Sequence, residues 1–368
     1  MRACAILFVV IAHVLWIFPE ADGTLVSLLR LMGVTGVEIF FVLSGFLIGR
    51  IMLRILTTEN FRTAHFGYFL VRRWFRTLPN YYLVLLINIG IVLYIGRELP
   101  ESLWSYFLFL QNLYFGMDIF FTESWSLPIE EFAYIIGPTL LSLGALLPLF
   151  RSRKKLFLIA TLAIIIFFLA TKLGYHFSTR TNSPEQWNIE LKAVVLYRID
   201  AIYMGVLGAY LSIRYPAGWQ SYKSSFLLAG GALFCLLQFL VSGLHLSYEG
   251  NPFFWNVLYL PLGSISIALT LPFLSQLQWR HGPVVRMVTF VSIVSYGMYL
   301  LHYSIILQLM RHFYPIEGLG TVQKLGYATV YFVCTLLLSY LLYTLYEKPI
   351  MDIRDKKWMK NLFSKSKN

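Results

Sequence analysis

The sequence predicts an all-α polytopic membrane protein, with about ten transmembrane helices and one short re-entrant or interfacial helix. Three observations predict it. Of 368 residues, 58% are hydrophobic and 13% charged, where a soluble domain carries about 25% charged residues. Apolar runs of spanning length recur from one end of the chain to the other. The basic residues behind the net charge of +12 sit in short blocks between those runs. That is the positive-inside pattern, and it excludes a nucleic-acid-binding surface.

The runs fall near 3–18, 34–53, 79–96, 128–149, 155–171, 193–213, 225–244, 254–274, 287–310 and 326–346. A further run, 103–115, is too short to cross and reads as re-entrant or interfacial. With that run not crossing and the N-terminus cytoplasmic, 22 Lys and Arg fall inside, 7 fall outside, and Arg198 lies within a span. If 103–115 crossed, the basic block at 151–155 would move outside, against the rule. The expectation is therefore a multi-pass protein of the cell (inner or plasma) membrane with both termini cytoplasmic. Residues 1–347 form one membrane domain, and 348–368 form a basic tail. Nothing resembling an A-x-A site follows the first run closely, so it reads as an anchored span and not as a cleaved signal peptide. Cys4, Cys235 and Cys334 lie in apolar runs without metal spacing and read as small packing residues.

The first run, MRACAILFVVIAHVLWIF, carries Arg2 and His13. Eleven helical steps turn about 1100°, so both side chains share a face, about 16 Å apart along the axis. Arg2 then sits at one membrane surface and His13 near mid-depth. An ionisable group at that depth is read as functional; the alternative is a histidine bonded to a neighbouring helix for packing. The second run contains GVEIFFVLSGFLI. Glu38 lies near its outer end, where it either bonds the ring of His13 or meets water, and Ser44 and Gly45 suit close helix contact.

The basic loop that follows ends RRWFRTLPNYY. Arg73 and Arg76, three apart, share a face. With Arg72 they suit phosphate groups, or else lipid headgroups. In SWSLPIEEFAY, Pro128 is expected to start a helix and leave Glu123 in the loop. Glu130 then occupies the first turn, and Glu131 points about 100° away, so one of the two faces the site. Trp125 and Tyr134 read as an interfacial aromatic belt. Arg198 and Asp200, two apart, are each expected to pair with another helix, and Gly205 and Gly208 to permit close packing. SYGMYLLHYS supplies His302, a second buried ring, and YEKP places Glu347 at the end of the last span. The polar loop 172–192, with Trp187, is a candidate acceptor surface.

No Walker loop, dinucleotide glycine pattern, GxSxG elbow or HExxH occurs. The seven histidines are scattered, so no metal is expected. What remains is a histidine able to act as general base, carboxylates able to orient it, and arginines able to hold a phosphorylated donor. That layout suits acyl transfer. The same residues also suit a proton-coupled carrier of a glycan or lipid-linked substrate.

Five stretches occur in one order along nearly the whole chain: Arg2 with ten residues before His13, GVEIFFVLSGFLI, RRWFRTLP, SWSLPIEEFAY, and SYGMYLLH followed by YEKP. Together they resemble the membrane acyltransferase 3 family, the integral membrane O-acyltransferases of sugars and lipids. The resemblance implies an acyl-CoA donor, commonly acetyl-CoA, taken from the cytoplasm. It implies transfer to a hydroxyl of a glycan or lipid-linked acceptor at the outer face, among membrane lipids. Carried over, His13 is catalytic and Arg2 is its motif partner. Glu130 matches the acidic residue of the third motif, and Glu38 stands where the family has Asp or Glu; either would hold His13. Arg73 and Arg76, with Arg2 nearby, match the donor-side arginines. Two departures stand out. Family members carry a short segment before the first arginine, ending Leu-Asp-Gly-Leu-Arg, which leaves open whether the start lies upstream. Some carry a C-terminal hydrolase-like domain where this sequence has its basic tail, so one domain is expected to complete the reaction.

Overall fold

The structure, a computed structural model, describes residues 1–148, 150, 152–179, 183–278 and 282–356. Among these residues all regular structure is helical. Eight helices are long and apolar enough to cross a membrane: α2 (Thr24–Leu56), α3 (Ala64–Tyr94), α5 (Thr122–Leu146), α6 (Arg153–Ser178), α8 (Lys223–Gly243), α9 (Phe254–Leu274), α10 (Pro283–Phe313) and α11 (Thr321–Arg354). α1 (Arg2–Ile17) is apolar but shorter. α7 (Ile199–Arg214) has 16 residues, about 24 Å of helix. α4 (Leu103–Phe107) is a single short piece.

α7 sits in the interior, with Ala201, Ile202, Val206 and Ala209 fully buried. It lies against α2 so closely that a Cβ on Gly45 would fall 1.8 Å from the Ile202 carbonyl oxygen. A Cβ on Gly205 would fall 2.0 Å from the Val42 oxygen. Small residues let the two backbones touch, which is how helices gain contact where lipid removes the hydrophobic driving force. Gly208 is different: its Cβ would meet only ordinary contacts, at 3.4 Å or more. α1 packs on the other side of α2, where Gly36 faces the Ala5 carbonyl. The outward faces of α8 and α11 expose Leu228, Phe239, Val330, Leu337 and Leu345, apolar surface that suits lipid.

Within the short run 103–115 the helix α4 has only 5 residues, far short of the roughly 20 a crossing needs. After α4 the backbone turns back at Phe109, in the left-handed region at φ 58°. Its ring lies 4.3 Å from that of Tyr81. The Tyr81 and Tyr82 hydroxyls donate to the Tyr106 and Phe107 carbonyls, at 2.7 and 2.8 Å. The turn is thus tied to α3.

Arg198 and Asp200 do pair with other helices. Arg198 forms a buried ion pair with Glu38 of α2, and Asp200 one with Lys172 of α6. The second pair corrects the placing of Lys172 in an outer loop: it lies within α6 and is fully buried. The basic stretch 72–76 is likewise helix and not loop, because α3 begins at Ala64 and tolerates Pro79 inside it. Cys4 and Cys235 are exposed and not packed inside. The first residues assigned to the tail continue α11 as far as Arg354. Residues 357–368, and Arg151, Arg180 and Arg280 of the charge count, lie outside the described residues.

Candidate functional site

A cavity of about 80 Å³ opens between α1, α2, α3, α5 and α10. One ordered water needs about 10–15 Å³, so it has room for several. Arg2, Arg73 and Arg76 line it together with Glu130 and Glu131. Arg2 comes from the first residue of α1, and the other two come one turn apart on α3. The helices therefore bring the three arginines of the two separate motifs to one place.

The arginines are not equivalent. Arg73 is held: one of its terminal nitrogens donates to Glu130 Oε2 at 3.0 Å and to Ser44 Oγ at 3.2 Å. The Tyr134 hydroxyl also bonds it, and its guanidinium lies 4.4 Å from the Tyr134 ring. Tyr134 donates to Glu130 as well and meets Ser44 at 2.5 Å. Arg2 and Arg76 make no hydrogen bond or ion pair among the described residues. Glu347 acts electrostatically on Arg76, but its carboxylate accepts from Asn80 Nδ2 at 2.8 Å. The YEKP motif thus meets α3 at Asn80, four residues after Arg76.

Glu131 does not point away. Its two oxygens accept from Trp74 Nε1 and Thr77 Oγ1, each at 3.0 Å. Both carboxylates of the pair reach α3, because α3 flanks the start of α5 broadly enough to meet faces 100° apart. α5 also begins earlier than Pro128: it opens with a 3-10 turn, Thr122–Trp125, that holds Glu123, and its α-helical part starts at Ser126.

His13 lies elsewhere. Its Nδ1 donates to the Val9 carbonyl at 2.8 Å. Its ring meets His302 edge-on, with centroids 4.6 Å apart and planes at 82°, and Tyr303 at 5.1 Å. His302 opens a π turn, His302–Leu307, within α10, a distortion frequent at functional sites. His302 Nδ1 donates to the Tyr299 carbonyl at 2.8 Å. Tyr299 in turn lines the arginine cavity and bonds Ser126 Oγ at 2.8 Å. It joins the two halves of the site.

Two expected partnerships are corrected by these contacts. Glu38 does not bond His13: both its oxygens are taken, one by Arg198 and the other by Ser264 Oγ at 2.8 Å. Glu130 does not bond His13 either, being occupied by Arg73 and Tyr134. The ring of His13 is held by its own helix and by His302. Glu123 is buried against the π turn, accepting from the Ser304 amide at 3.1 Å and from its hydroxyl.

Ser44 and Tyr134 were legible only as packing and belt residues, yet they are buried ligands of Arg73. No spacing rule signals a hydroxyl that closes a network between three helices. Lys192, in the segment before α7, places its ammonium 4.8 Å from the Trp125 ring and acts electrostatically on His13. Trp187, expected on an acceptor surface, is 2% exposed and packs with Trp255.

A family model described as an acyltransferase domain, acyltransferase 3, matches residues 1–344. The chain is 28% identical over 383 residues to "Putative peptidoglycan O-acetyltransferase YrhL" of Bacillus subtilis (strain 168), covering 95% of this chain and 54% of that protein. It is 30% identical over 157 residues to "Peptidoglycan O-acetyltransferase OatA" of Listeria monocytogenes serovar 1/2a, covering 38% of this chain and 23% of that protein. The chain thus spans about half the length, or less, of these curated relatives. No solved structure matches it. With the family model covering nearly all of its helices, this multi-pass membrane chain belongs to the acyltransferase 3 family.

Proposed function

We propose that the chain is an integral membrane O-acyltransferase. It moves an acyl group, acetyl by preference, from acyl-CoA to a glycan hydroxyl, and peptidoglycan is the first acceptor to try given the names of its relatives. The observation that carries the donor side is the pair of cavity arginines, Arg2 and Arg76, left without hydrogen-bond or ion-pair partners among the described residues. Unpaired guanidinium groups in a partly enclosed site favour a polyanion, and phosphate suits their paired donors. Arg73, already committed to Glu130, Ser44 and Tyr134, positions that wall.

On this reading the coenzyme A phosphates dock on Arg2 and Arg76, and the acyl arm runs past Tyr299 toward His13. His13 takes the proton from the acceptor hydroxyl as general base. Counting α1 and α7 with the eight long helices gives an even number of crossings, which supports both termini lying on one side. The charge bias supports the cytoplasm as that side. The arginine cavity then faces the cytoplasmic donor, and His13 stands nearer the outer acceptor.

The test is acceptor-dependent thiol release from acetyl-CoA by the purified chain in lipid vesicles, comparing wild type with Arg76→Gln. A rise in donor KM of about tenfold or more is expected, equivalent to losing about 1.4 kcal/mol of binding. An unchanged KM with reduced kcat removes the docking role. No thiol release with any acyl-CoA removes the transferase reading in favour of a proton-coupled carrier.

A further inference from the structure

The two histidines are committed in the same way. His13 Nδ1 and His302 Nδ1 each lie 2.8 Å from a backbone carbonyl, of Val9 and of Tyr299. A carbonyl only accepts, so each Nδ1 carries the proton and each neutral ring presents Nε2 as a lone pair. His302 is fully buried, and its Nε2 has no hydrogen-bond partner among the described residues. Two rings that both present lone pairs have no proton to share. One added proton changes this, because a protonated ring then meets a neutral ring whose centroid lies 4.6 Å away.

We propose that His302 is the proton-sharing partner of His13, a positioning residue through which the pair holds the one proton released during acyl transfer. The inference rests on the function proposed above. The acceptor oxygen attacks the thioester carbonyl and its proton passes to Nε2 of His13. The new C–O bond forms, the C–S bond breaks, and sulfur leaves with the bonding pair. The proton held by the pair returns to that sulfur, so that acyl-S-CoA and ROH become acyl-OR and HS-CoA. Without a place to hold this proton, it would have to leave through the membrane interior or stay on one buried ring.

The surroundings fit a one-proton device. Glu123, from α5, clamps the turn that starts at His302 through the Ser304 amide and hydroxyl. Lys192, from the segment before α7, acts electrostatically on His13. Among the described residues the other titratable groups nearby are phenols: Tyr299 and Tyr303 on α10, and Tyr331 on α11, on which Glu123 acts. A second proton on the pair would place two cations on rings whose centroids are 4.6 Å apart, which couples the two titrations. Tyr299 sets the direction, since its ring lines the arginine cavity while its carbonyl holds His302.

The test uses the full chain in lipid nanodiscs with nitrogen-labelled histidine, as wild type, His13→Asn and His302→Asn. Asparagine keeps a donor where Nδ1–H stood and removes the Nε2 lone pair. In wild type both rings should report one shared transition, and removing either ring should displace the transition of the other. Two independent transitions, each unchanged by loss of the other ring, would overturn the proposal whatever the chain's activity. In thiol release, His302→Asn should lower kcat by roughly 10–100-fold with donor KM unchanged and alter the pH profile. Full wild-type turnover in folded His302→Asn would reduce His302 to holding the Tyr299 carbonyl, and would also overturn it. Absence of turnover in wild type itself would sink the transferase reading, while the labelled-ring result still judges the pair.

Discussion

The pairing of Glu38 with Arg198 makes a sharp prediction about what Glu38 is for. Both side chains are almost completely buried, and Ser264 Oγ completes the carboxylate at 2.8 Å. Opposite charges about 4 Å apart interact by about 4 kcal/mol at an effective dielectric of 20. Removing one partner leaves the other charged and buried, which costs about 3–5 kcal/mol. Arg198→Met and Glu38→Leu should therefore each destabilise the chain by about that amount. The double variant should lie within about 1 kcal/mol of wild type, because an apolar pair of similar volume replaces two desolvated charges. SDS-driven unfolding in mixed micelles, followed by tryptophan fluorescence, measures all four proteins. Single losses below about 1 kcal/mol, or losses that simply add in the double variant, would refute the reasoning. The double variant also reads the role directly: retained acyl transfer makes Glu38 a brace of the α2–α7 seam, and lost transfer in a stable protein returns it to the chemistry.

Gly45→Leu drives a side chain into the Ile202 carbonyl; a loss of at least about 1–3 kcal/mol in the same unfolding assay is expected, and a neutral outcome would refute the close seam. Ser44→Ala should loosen Arg73 without touching the unpaired arginines, so kcat should fall with little change in donor KM; a KM effect as large as that of Arg76→Gln would contradict the division between holding and docking arginines. Burial first, then the Arg198 charge, bring the Lys192 ammonium down from its ordinary 10.5 to about 8, with Glu38 opposing. The folded chain then gives up this proton before the unfolded one, so its contribution to stability rises with pH between about 8 and 10.5. Pulse acetylation of Lys192, read by mass spectrometry against pH, should show a midpoint near 8; one near 10.5 would contradict the buried setting. Glu20, in the loop after α1, is held below the usual carboxylate range by its hydrogen bond to Lys324 at 2.7 Å. Its stabilisation is present above the unfolded value and lost as pH falls through the folded one, so Lys324→Met should matter less in acid.

The helical architecture was legible because the apolar runs and the blocks between them obey two simple constraints, bilayer thickness and charge asymmetry. The short run at 103–115 was separable on its length and on the charge of the block at 151–155, and the structure holds only the five-residue α4 there, followed by Phe109 in the left-handed region. The arginine cavity was legible in its parts: Arg2, Arg73 and Arg76 carried motif spacing, and the structure brings them together. What the spacing did not carry was long-range partnership. Glu38 and Arg198 are 160 positions apart, and nothing local tells a carboxylate whether it will meet an arginine or a histidine. Ser44 looked like packing because Gly45 beside it is packing; the helix turns about 100° between them, and one faces α7 while the other faces α3 and α5. His302 was visible as a buried ring, but its neighbour depended on how α1 and α10 cross.

The most direct measurement is thiol release from acetyl-CoA in vesicles with a peptidoglycan acceptor, comparing wild type with His13→Ala of equal expression and stability. Acceptor-dependent release that disappears in His13→Ala is the expected result. Release that persists in His13→Ala would contradict the placing of the chemistry at the histidine pair.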